Sequence, residues 1–293
     1  MKVARILIGG EPFVARVDGE ALVPVHRDSG GADGAWIGWT SDQAAALPAI
    51  GAAVAIADAE FLPAVGSPEK ILAVGLNYLD HSAESNLEPP TAPLLFAKTS
   101  NTLLAHGAVI RCPSDLTTQS DYEAELAIVI GRRAEKIQPA ESLDHIFALT
   151  VANDVSARDA QFDDGQWTRG KSFDTFLPIG PYLTLADSVP DAKNLRIQCR
   201  LNGVTMQDSN TGSMIFDVAY LVSYVSRFIT LVPGDVILTG TPAGVGFARE
   251  PSVYLQDGDV VEVEIEGLGV LSNSVSTSPV GVGGLNVAVE EPA

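Results

Sequence analysis

Apolar and polar residues alternate with a period of two along much of the chain, and this pattern predicts strands. The alternation is clearest over residues 119–130 and 261–266, where successive side chains point to opposite faces. The Asn202-Gly203 pair lies between two further short runs and predicts a hairpin over residues 196–208. Additional strands are predicted at residues 4–8, 13–17, 22–25, 71–75, 94–98, 147–154 and 235–240.

Helical periodicity is confined to a few segments. Residues 139–149 and 214–229 predict helices, a short helix is predicted to begin near Leu79, and the Ala-rich stretch 42–56 predicts a short helix and a strand. Many short strands and few helices predict a β-rich α+β fold rather than an alternating βαβ fold. Because proline and glycine cluster near residue 66, we predict a small N-terminal β-rich domain over 1–66, a larger domain over 67–280 and a tail over 281–293.

Composition and charge narrow the class of protein. The 293 residues are 46% hydrophobic and 19% charged, which is typical of a compact globular protein. The formal net charge of −19 disfavours nucleic acid and anionic membranes as partners. The two cysteines, Cys112 and Cys199, lie far apart in the sequence, which excludes a disulfide scaffold and a Cys-rich metal site and fits a reducing compartment. With no signal-peptide pattern and no apolar run of the roughly 20 residues that span a bilayer, we expect a cytoplasmic protein.

The strand predicted over 119–130 carries two acidic residues on one face. Glu123 and Glu125 point the same way, and the same face then becomes apolar at Ala127 and Val129. Adjacent buried carboxylates repel each other unless a cation neutralises them, and all-oxygen ligation favours Mg2+, Ca2+ or Mn2+. Asp154, at the polar end of another apolar strand, could complete a site of three carboxylates. The alternatives are a solvated strand end for the glutamates and a cap or turn for Asp154.

Three further segments carry chemistry. On a helix that begins near Leu79, His81 and Glu84 share one face, which suits a general base and the carboxylate that orients it. A surface His–Glu pair is the alternative. Lys171 lies among aromatic residues and either covers apolar surface with its stem or balances a bound anion. The stretch 239–246, TGTPAGVG, could bring backbone N–H groups and the Thr241 hydroxyl to a carboxylate, or could only form a turn.

Together these segments resemble the fumarylacetoacetate hydrolase family. The resemblance rests on six motifs in the family's order, and it covers about residues 67–274. The motifs are GLNYLDHSAES, DYEAELAIVIG, NDVSARDAQ, WTRGKSFDTFLPIGP, LNGVTMQDSNTGSMIF and PGDVILTGTPAGVG.

The resemblance implies a mixed β-roll, barrel-like fold, a homodimer, and Mg2+ or Mn2+, for which Ca2+ could substitute. The implied metal ligands are Glu123, Glu125 and Asp154. It also implies that His81 and Glu84 activate water, and that Lys171 and Gln161 stabilise developing negative charge. Arg158 and Thr241 would lie near polar groups of the substrate, although Arg158 could instead hold Asp154 or Asp159 in place.

On this basis we expect a hydrolase that cleaves the C–C bond of a 2,4-dioxo acid, of the acylpyruvate or sugar-derived type, to pyruvate and a carboxylic acid. His81, oriented by Glu84, would deprotonate the water that attacks the C4 carbonyl, and Lys171 would support the oxyanion. The alternative within the family is an enzyme that decarboxylates, isomerises or hydrates oxaloacetate or a related 2-oxo acid. A non-catalytic binding protein is a third hypothesis, and absence of divalent-ion binding would favour it.

Overall fold

The computed structural model describes residues 1–29, 36–84, 88–163, 165–189 and 191–281. The fold is a sheet-rich α+β fold, as predicted, and the sheets in the described residues do not close into a barrel. The strands are β1 (Lys2–Ile8), β2 (Glu11–Asp18), β3 (Ala21–Arg27), β4 (Val54–Ala55), β5 (Glu60–Phe61), β6 (Ile71–Gly75), β7 (Leu94–Lys98), β8 (Leu103–Leu104), β9 (Val109–Arg111), β10 (Ser120–Asp121), β11 (Ala124–Ile130), β12 (Ile146–Asn153), β13 (Ser156–Ala157), β14 (Leu177–Leu185), β15 (Arg196–Leu201), β16 (Val204–Asn210), β17 (Val236–Leu238), β18 (Val260–Ile265) and β19 (Gly269–Ser276).

The helices of the described residues are short. The α-helices are α1 (Ser41–Ala46), α2 (Leu79–Glu84), α3 (Arg158–Asp163), α4 (Trp167–Lys171) and α5 (Val218–Ser226). The 3-10 helices are Ile56–Asp58, Ser100–Thr102, Pro139–His145, Ala186–Ser188, Thr211–Ser213 and Gly246–Ala248. No described helix is long and apolar enough to cross a membrane.

Two sheets contain most of the strands. The larger sheet has the order β4-β3-β2-β1-β14-β12-β11-β17-β6-β7, with β5 beside β1 and β8 beside β14. The smaller sheet has the order β16-β15-β18-β19-β9, and β10 pairs with β13. The N-terminal strands join the larger sheet where β1 pairs antiparallel with β14. The domain boundary near residue 66 stays a prediction, and the predicted tail lies outside the described residues from 282 onward.

Strand β11 is buried on both faces, and its alternation divides its side chains between two hydrophobic clusters. Leu126, Ile128 and Ile130 pack in the cluster that includes the inner faces of β15 and β18 and one side of α5. Ala127 and Val129 pack in the cluster on the opposite face. Because burial of each large apolar side chain contributes about 1.5–3 kcal/mol, a shift of β11 by one residue would be costly.

Several predicted elements differ from those observed. The helix predicted over 139–149 is wrong beyond His145, because the apolar residues that follow form β12 and pair with β11. The helix predicted over 214–229 is shorter, and it begins after Asp217, whose side chain accepts from the Tyr220 N–H. The hairpin is confirmed, since β15 and β16 are joined by Asn202 and Gly203 with φ values of 51° and 78°.

Candidate metal and acid–base site

Four adjacent strands place the predicted site residues at one edge of the larger sheet. Strands β6 and β17 are parallel, so the segments that follow them, 76–84 and 239–246, leave the sheet at the same edge. Strand β11 is antiparallel to both β17 and β12, so it begins where those strands end. This topology brings Glu123 and Glu125 beside Asp154, although the three lie far apart in the sequence.

Three buried carboxylates form the centre of the site. Glu123, Glu125 and Asp154 are 5%, 1% and 0% exposed, and each offers an oxygen within 4.8 Å of the others. The Asp154 N–H donates to the Glu123 carbonyl at 2.9 Å, which fixes the two backbones together. The Gly240 N–H donates to Glu125 Oε2 at 2.7 Å. Gly240 has a φ of +95°, and an added Cβ would lie 2.8 Å from Asn77 Cβ, so this close approach requires glycine.

Three buried cations surround these carboxylates. Lys171 Nζ contacts Glu123 Oε2 at 2.7 Å and Asp154 Oδ2 at 2.9 Å. Lys98 Nζ contacts Asp154 Oδ1 at 2.6 Å, and Arg158 contacts Glu123 Oε1 at 2.7 Å. Lys171 is therefore an internal ion-pair partner of the acids rather than a surface lysine.

The charges perturb the acids unequally. Burial raises the pKa of Glu123, but Lys171 and Arg158 outweigh burial and lower the pKa to about 2. Burial raises the pKa of Glu125 well above its usual value, and the neighbouring Asp154 and Glu123 charges raise it further. Glu125 is thus the acid whose negative charge is least compensated.

The donor set fits a hard divalent cation. Counting Asp121, which pairs with Arg158, four buried carboxylates face three buried cations among the described residues. When all are ionised, one negative charge is left over, and Glu125 is the acid that receives only a backbone N–H. Oxygen ligands of this kind suit Mg2+ or Mn2+. A divalent cation would reverse the sign of the net charge and so favour an anionic ligand.

His81 and Glu84 form a pair on α2, as the sequence predicts. His81 Nδ1 lies 3.4 Å from Glu84 Oε2, and His81 is 6% exposed. The Gly244 N–H donates to both Glu84 oxygens, at 2.9 and 3.0 Å, which holds the carboxylate against the imidazole. Gly244 has a φ of +104°, and an added Cβ would lie 2.2 Å from the Met206 carbonyl oxygen, so no other residue fits there without rearrangement.

A cavity of about 240 Å³ joins the pair to the carboxylates. Its polar lining consists of His81, Glu123, Glu125, Arg158, Gln161, Lys171 and Thr241. Its aromatic lining consists of Phe96, Phe162, Trp167 and Phe247. Asp154 and Glu84 do not line the cavity themselves, but each contacts a residue of its polar lining, which is Lys171 for Asp154 and His81 for Glu84. The cavity is smaller than the 300–1,000 Å³ typical of sites for drug-sized molecules, so it suits a small ligand.

Arg158 has different partners from those considered in the sequence. Its Nε and one terminal nitrogen donate to Asp121 Oδ2 at 2.9 and 2.8 Å, and the other terminal nitrogen contacts Glu123 and Gln161. The partners Asp154 and Asp159 considered from the sequence are not the ones observed. Its guanidinium also lies 4.4 Å from the centre of the Phe247 ring.

Sequence reasoning missed three buried polar residues that support the site. Asp121 receives N–H groups from Tyr122, Gly246 and Phe247 and holds Arg158. The other two are Lys98 and Gln207. Asp121 lies two residues before Glu123 in the sequence, in the same alternation as the acidic pair, which could have indicated it. Neither Lys98 nor Gln207 stands out in its strand.

Comparisons with known proteins bear on this site. A family model described as fumarylacetoacetate hydrolase C-terminal matches residues 70–276. The chain is 48% identical over 217 residues to a Bos taurus protein named oxaloacetate tautomerase FAHD2A, mitochondrial, a match that covers 73% of this chain and 69% of that protein. Because that name refers to mitochondria, the cytoplasmic location expected for this chain stays a prediction.

Solved structures share the fold over nearly the whole chain. A fumarylacetoacetate hydrolase from Exiguobacterium antarcticum matches with a TM-score of 0.82 and 35% identity, covering 94% of this chain and 99% of that one. A 2-hydroxyhepta-2,4-diene-1,7-dioate isomerase from Mycobacterium marinum matches with a TM-score of 0.77 and 34% identity, covering 94% and 98%. The names of these relatives thus include a tautomerase, a hydrolase and an isomerase.

Proposed function

Because this chain belongs to the fumarylacetoacetate hydrolase C-terminal family, we propose that it is a divalent-metal-dependent tautomerase that interconverts the keto and enol forms of a 2-oxo acid such as oxaloacetate. The observation that carries the proposal is the position of one acid–base pair, His81 and Glu84, over a buried cluster of carboxylates in a single small cavity. The similarity to an oxaloacetate tautomerase supports this reaction over the acylpyruvate hydrolysis expected from the sequence.

His81 is the group that moves the proton. When Glu84 is ionised its oxygens can only accept, so the hydrogen of the neutral imidazole lies on Nδ1 and the lone pair on Nε2. His81 lines the cavity, where Nε2 can take a proton from C3 of the acid as the enol forms and return it as the ketone forms. In the enol-forming direction the protonated imidazole then gives this proton, directly or through a water molecule, to the 2-oxo oxygen. The ketone forms by the reverse transfers.

The polar wall binds the anionic substrate. Lys171 and Arg158 face the cavity and supply positive charge beside the acid, and Gln161 and Thr241 supply hydrogen-bond donors. Glu123, Glu125 and Asp154 would hold Mg2+ or Mn2+, which supplies Lewis-acid polarisation of the 2-oxo group when bound. The aromatic residues of the cavity, including Phe96 and Trp167 in edge-to-face contact, limit access of water.

Acylpyruvate hydrolysis is the second candidate. The His81–Glu84 pair could equally deprotonate a water molecule, and the hydrolase from Exiguobacterium antarcticum is 35% identical to this chain. The two reactions differ in what His81 deprotonates, which is C3 of the acid in tautomerisation and water in hydrolysis.

The test compares substrates on protein stripped with EDTA and resupplied with Mg2+ or Mn2+. We expect metal-dependent acceleration of the loss of enol absorbance from freshly dissolved enol-oxaloacetate. His81→Ala should abolish the acceleration, whereas the control His145→Ala, at a half-buried position outside the cavity lining, should preserve it. Release of acetate and pyruvate from acetylpyruvate, without tautomerisation, would establish the hydrolase instead. Release of CO2 from oxaloacetate without tautomerisation would indicate the decarboxylase.

A further inference from the structure

Gln207 connects two parts of the site without lining the cavity. It lies on β16 in the smaller sheet and is 1% exposed. Its Oε1 accepts the Ala124 N–H at 2.9 Å, and Ala124 stands between two of the three central carboxylates. Its Nε2 donates to Thr241 Oγ1 at 2.7 Å and to the Pro242 carbonyl oxygen at 2.8 Å.

These contacts fix the orientation of the Gln207 amide. The Ala124 backbone nitrogen can only donate, so it must face the amide oxygen. The Pro242 carbonyl oxygen can only accept, so it must face the amide nitrogen. A flipped amide would place donor against donor at one end and acceptor against acceptor at the other. The two hydrogens of Nε2 are therefore directed at Thr241 and Pro242.

The orientation of Gln207 determines the role of the Thr241 hydroxyl. Because Oγ1 accepts from Gln207, its own hydrogen must point in another direction. Thr241 is 3% exposed and lines the cavity, and within the part of the chain that the structure describes no acceptor is recorded for that hydrogen. The hydroxyl is thus prepared to donate to a ligand in the cavity.

We propose that Gln207 is a positioning residue that makes Thr241 a dedicated hydrogen-bond donor to a carboxylate oxygen of the acid in the cavity. This inference rests on the proposed function in taking the ligand to be an anionic 2-oxo acid. Gln207 determines that Thr241 donates, rather than accepts, in its hydrogen bond with the ligand. Through the Ala124 N–H, Gln207 also connects Thr241 to the start of β11, between Glu123 and Glu125.

Binding of oxalate, an unreactive planar mimic of the carboxylate and 2-oxo groups, tests the proposal by calorimetry in the presence of Mg2+. Thr241→Val should weaken oxalate binding about tenfold or more, because a hydrogen bond to a charged group is lost, and Thr241→Ser should bind like the wild type. Gln207→Met removes the orienting amide at similar volume and should also weaken binding. In the double variant the loss should be clearly smaller than the product of the two single losses.

Matched measurements separate positioning from loss of folding. Gln198→Leu removes a half-buried amide from the neighbouring strand β15, outside the site, and should leave oxalate binding unchanged. Gln207→Asn, whose amide is too short to keep both contacts, replaces Gln207→Met if that variant does not fold. In variants that turn over oxaloacetate, the KM should rise while kcat stays within about twofold, as expected when a contact is made equally in the ground and transition states.

The outcomes distinguish this inference from the proposed function. The inference would be overturned if the loss of oxalate affinity in the Thr241→Val, Gln207→Met double variant equalled the product of the two single losses. It would also be overturned if the Gln207→Met protein bound oxalate like the wild type. No oxalate binding by the wild type would overturn both the inference and the proposed substrate class. Non-multiplying losses in a protein that does not tautomerise oxaloacetate would support the inference and reject the tautomerase.

Discussion

Lys98 offers the sharpest test of the charge balance beneath the site. Its side chain is fully buried, and Nζ donates to Asp154 Oδ1 at 2.6 Å and to the Val155 carbonyl oxygen at 3.3 Å. Lys98→Met keeps the length and apolar character of the stem but removes the charge. Asp154, which is 0% exposed, would then keep Lys171 as its only cationic partner among the described residues.

The expected loss of stability follows from that burial. Removing one partner of a buried ion pair typically costs about 3–5 kcal/mol. Because Lys171 still contacts the other oxygen of Asp154, we expect the lower end, about 3 kcal/mol, for the free energy of unfolding without metal. The control is Lys193→Met, whose partner Asp217 is similarly close, at 2.7 Å, but whose side chain is 64% exposed. We expect no measurable change in the free energy of unfolding for this variant.

Urea unfolding of EDTA-treated protein, followed by circular dichroism, measures this difference. Adding Mn2+ should reduce the difference in the free energy of unfolding between the wild type and Lys98→Met. The variant has one cation fewer to repel the ion and one free carboxylate oxygen more to bind it. A Lys98→Met protein as stable as Lys193→Met would refute the ion-pair reasoning. A gap that Mn2+ leaves unchanged would refute the assignment of Asp154 to the metal site.

Three other variants test single contacts of the site. Glu125→Gln should stabilise the metal-free protein near pH 7, because it removes the least compensated buried charge, and it should abolish Mn2+ binding in a titration. Since burial raises the pKa of Glu125, this stabilisation should vanish as the pH falls towards 4.5 and Glu125 becomes protonated in the wild type. Gly240→Ala should lower the free energy of unfolding in urea by about 1–3 kcal/mol and weaken metal binding, because its Cβ would contact Asn77. Gly203→Ala is the control for the effect of a positive φ alone, because an added Cβ there meets nothing within 4 Å. Glu84→Gln should lower kcat about 10³–10⁴-fold in the enol-oxaloacetate assay while oxalate binding is preserved. The reason is that an amide N–H facing Nδ1 would move the imidazole hydrogen from Nδ1 to Nε2, which is the wrong tautomer for a base. An unchanged kcat would exclude this pair as the acid–base group.

The sequence predicted the strands that carry the site better than the contacts within it. Alternation in β11 identified a buried strand with two acids at one end, and the Asn202-Gly203 pair identified the hairpin of β15 and β16. These are local signals, because the period of a strand and the φ values of a tight turn depend on neighbouring residues alone. The pairing of His81 and Glu84 was predicted for the same reason, because residues three apart share one face of the short helix expected to begin near Leu79.

The contacts that were missed all depend on long-range topology. Lys98 contacts a residue 56 positions away, and Gln207 contacts Ala124 across 83 positions and between two sheets. The helix predicted over 139–149 was wrong beyond His145 because pairing with β11 decided the conformation of the apolar residues that follow. No pattern within a single segment reports a partner of this kind, so the order of the strands had to be known first.

Charge explains why these supporting residues belong to one functional unit. Without the cations, three carboxylates within 4.8 Å of one another could not all remain ionised in a buried site. Counting the buried Asp121 that pairs with Arg158 as a fourth carboxylate, Lys98, Lys171 and Arg158 leave the site one charge negative when all four acids are ionised. A divalent cation would convert this to one charge positive. Under the proposed function, a bound divalent cation would make this cavity net positive, and a net positive cavity would stabilise an anionic acid and, still more, its enolate.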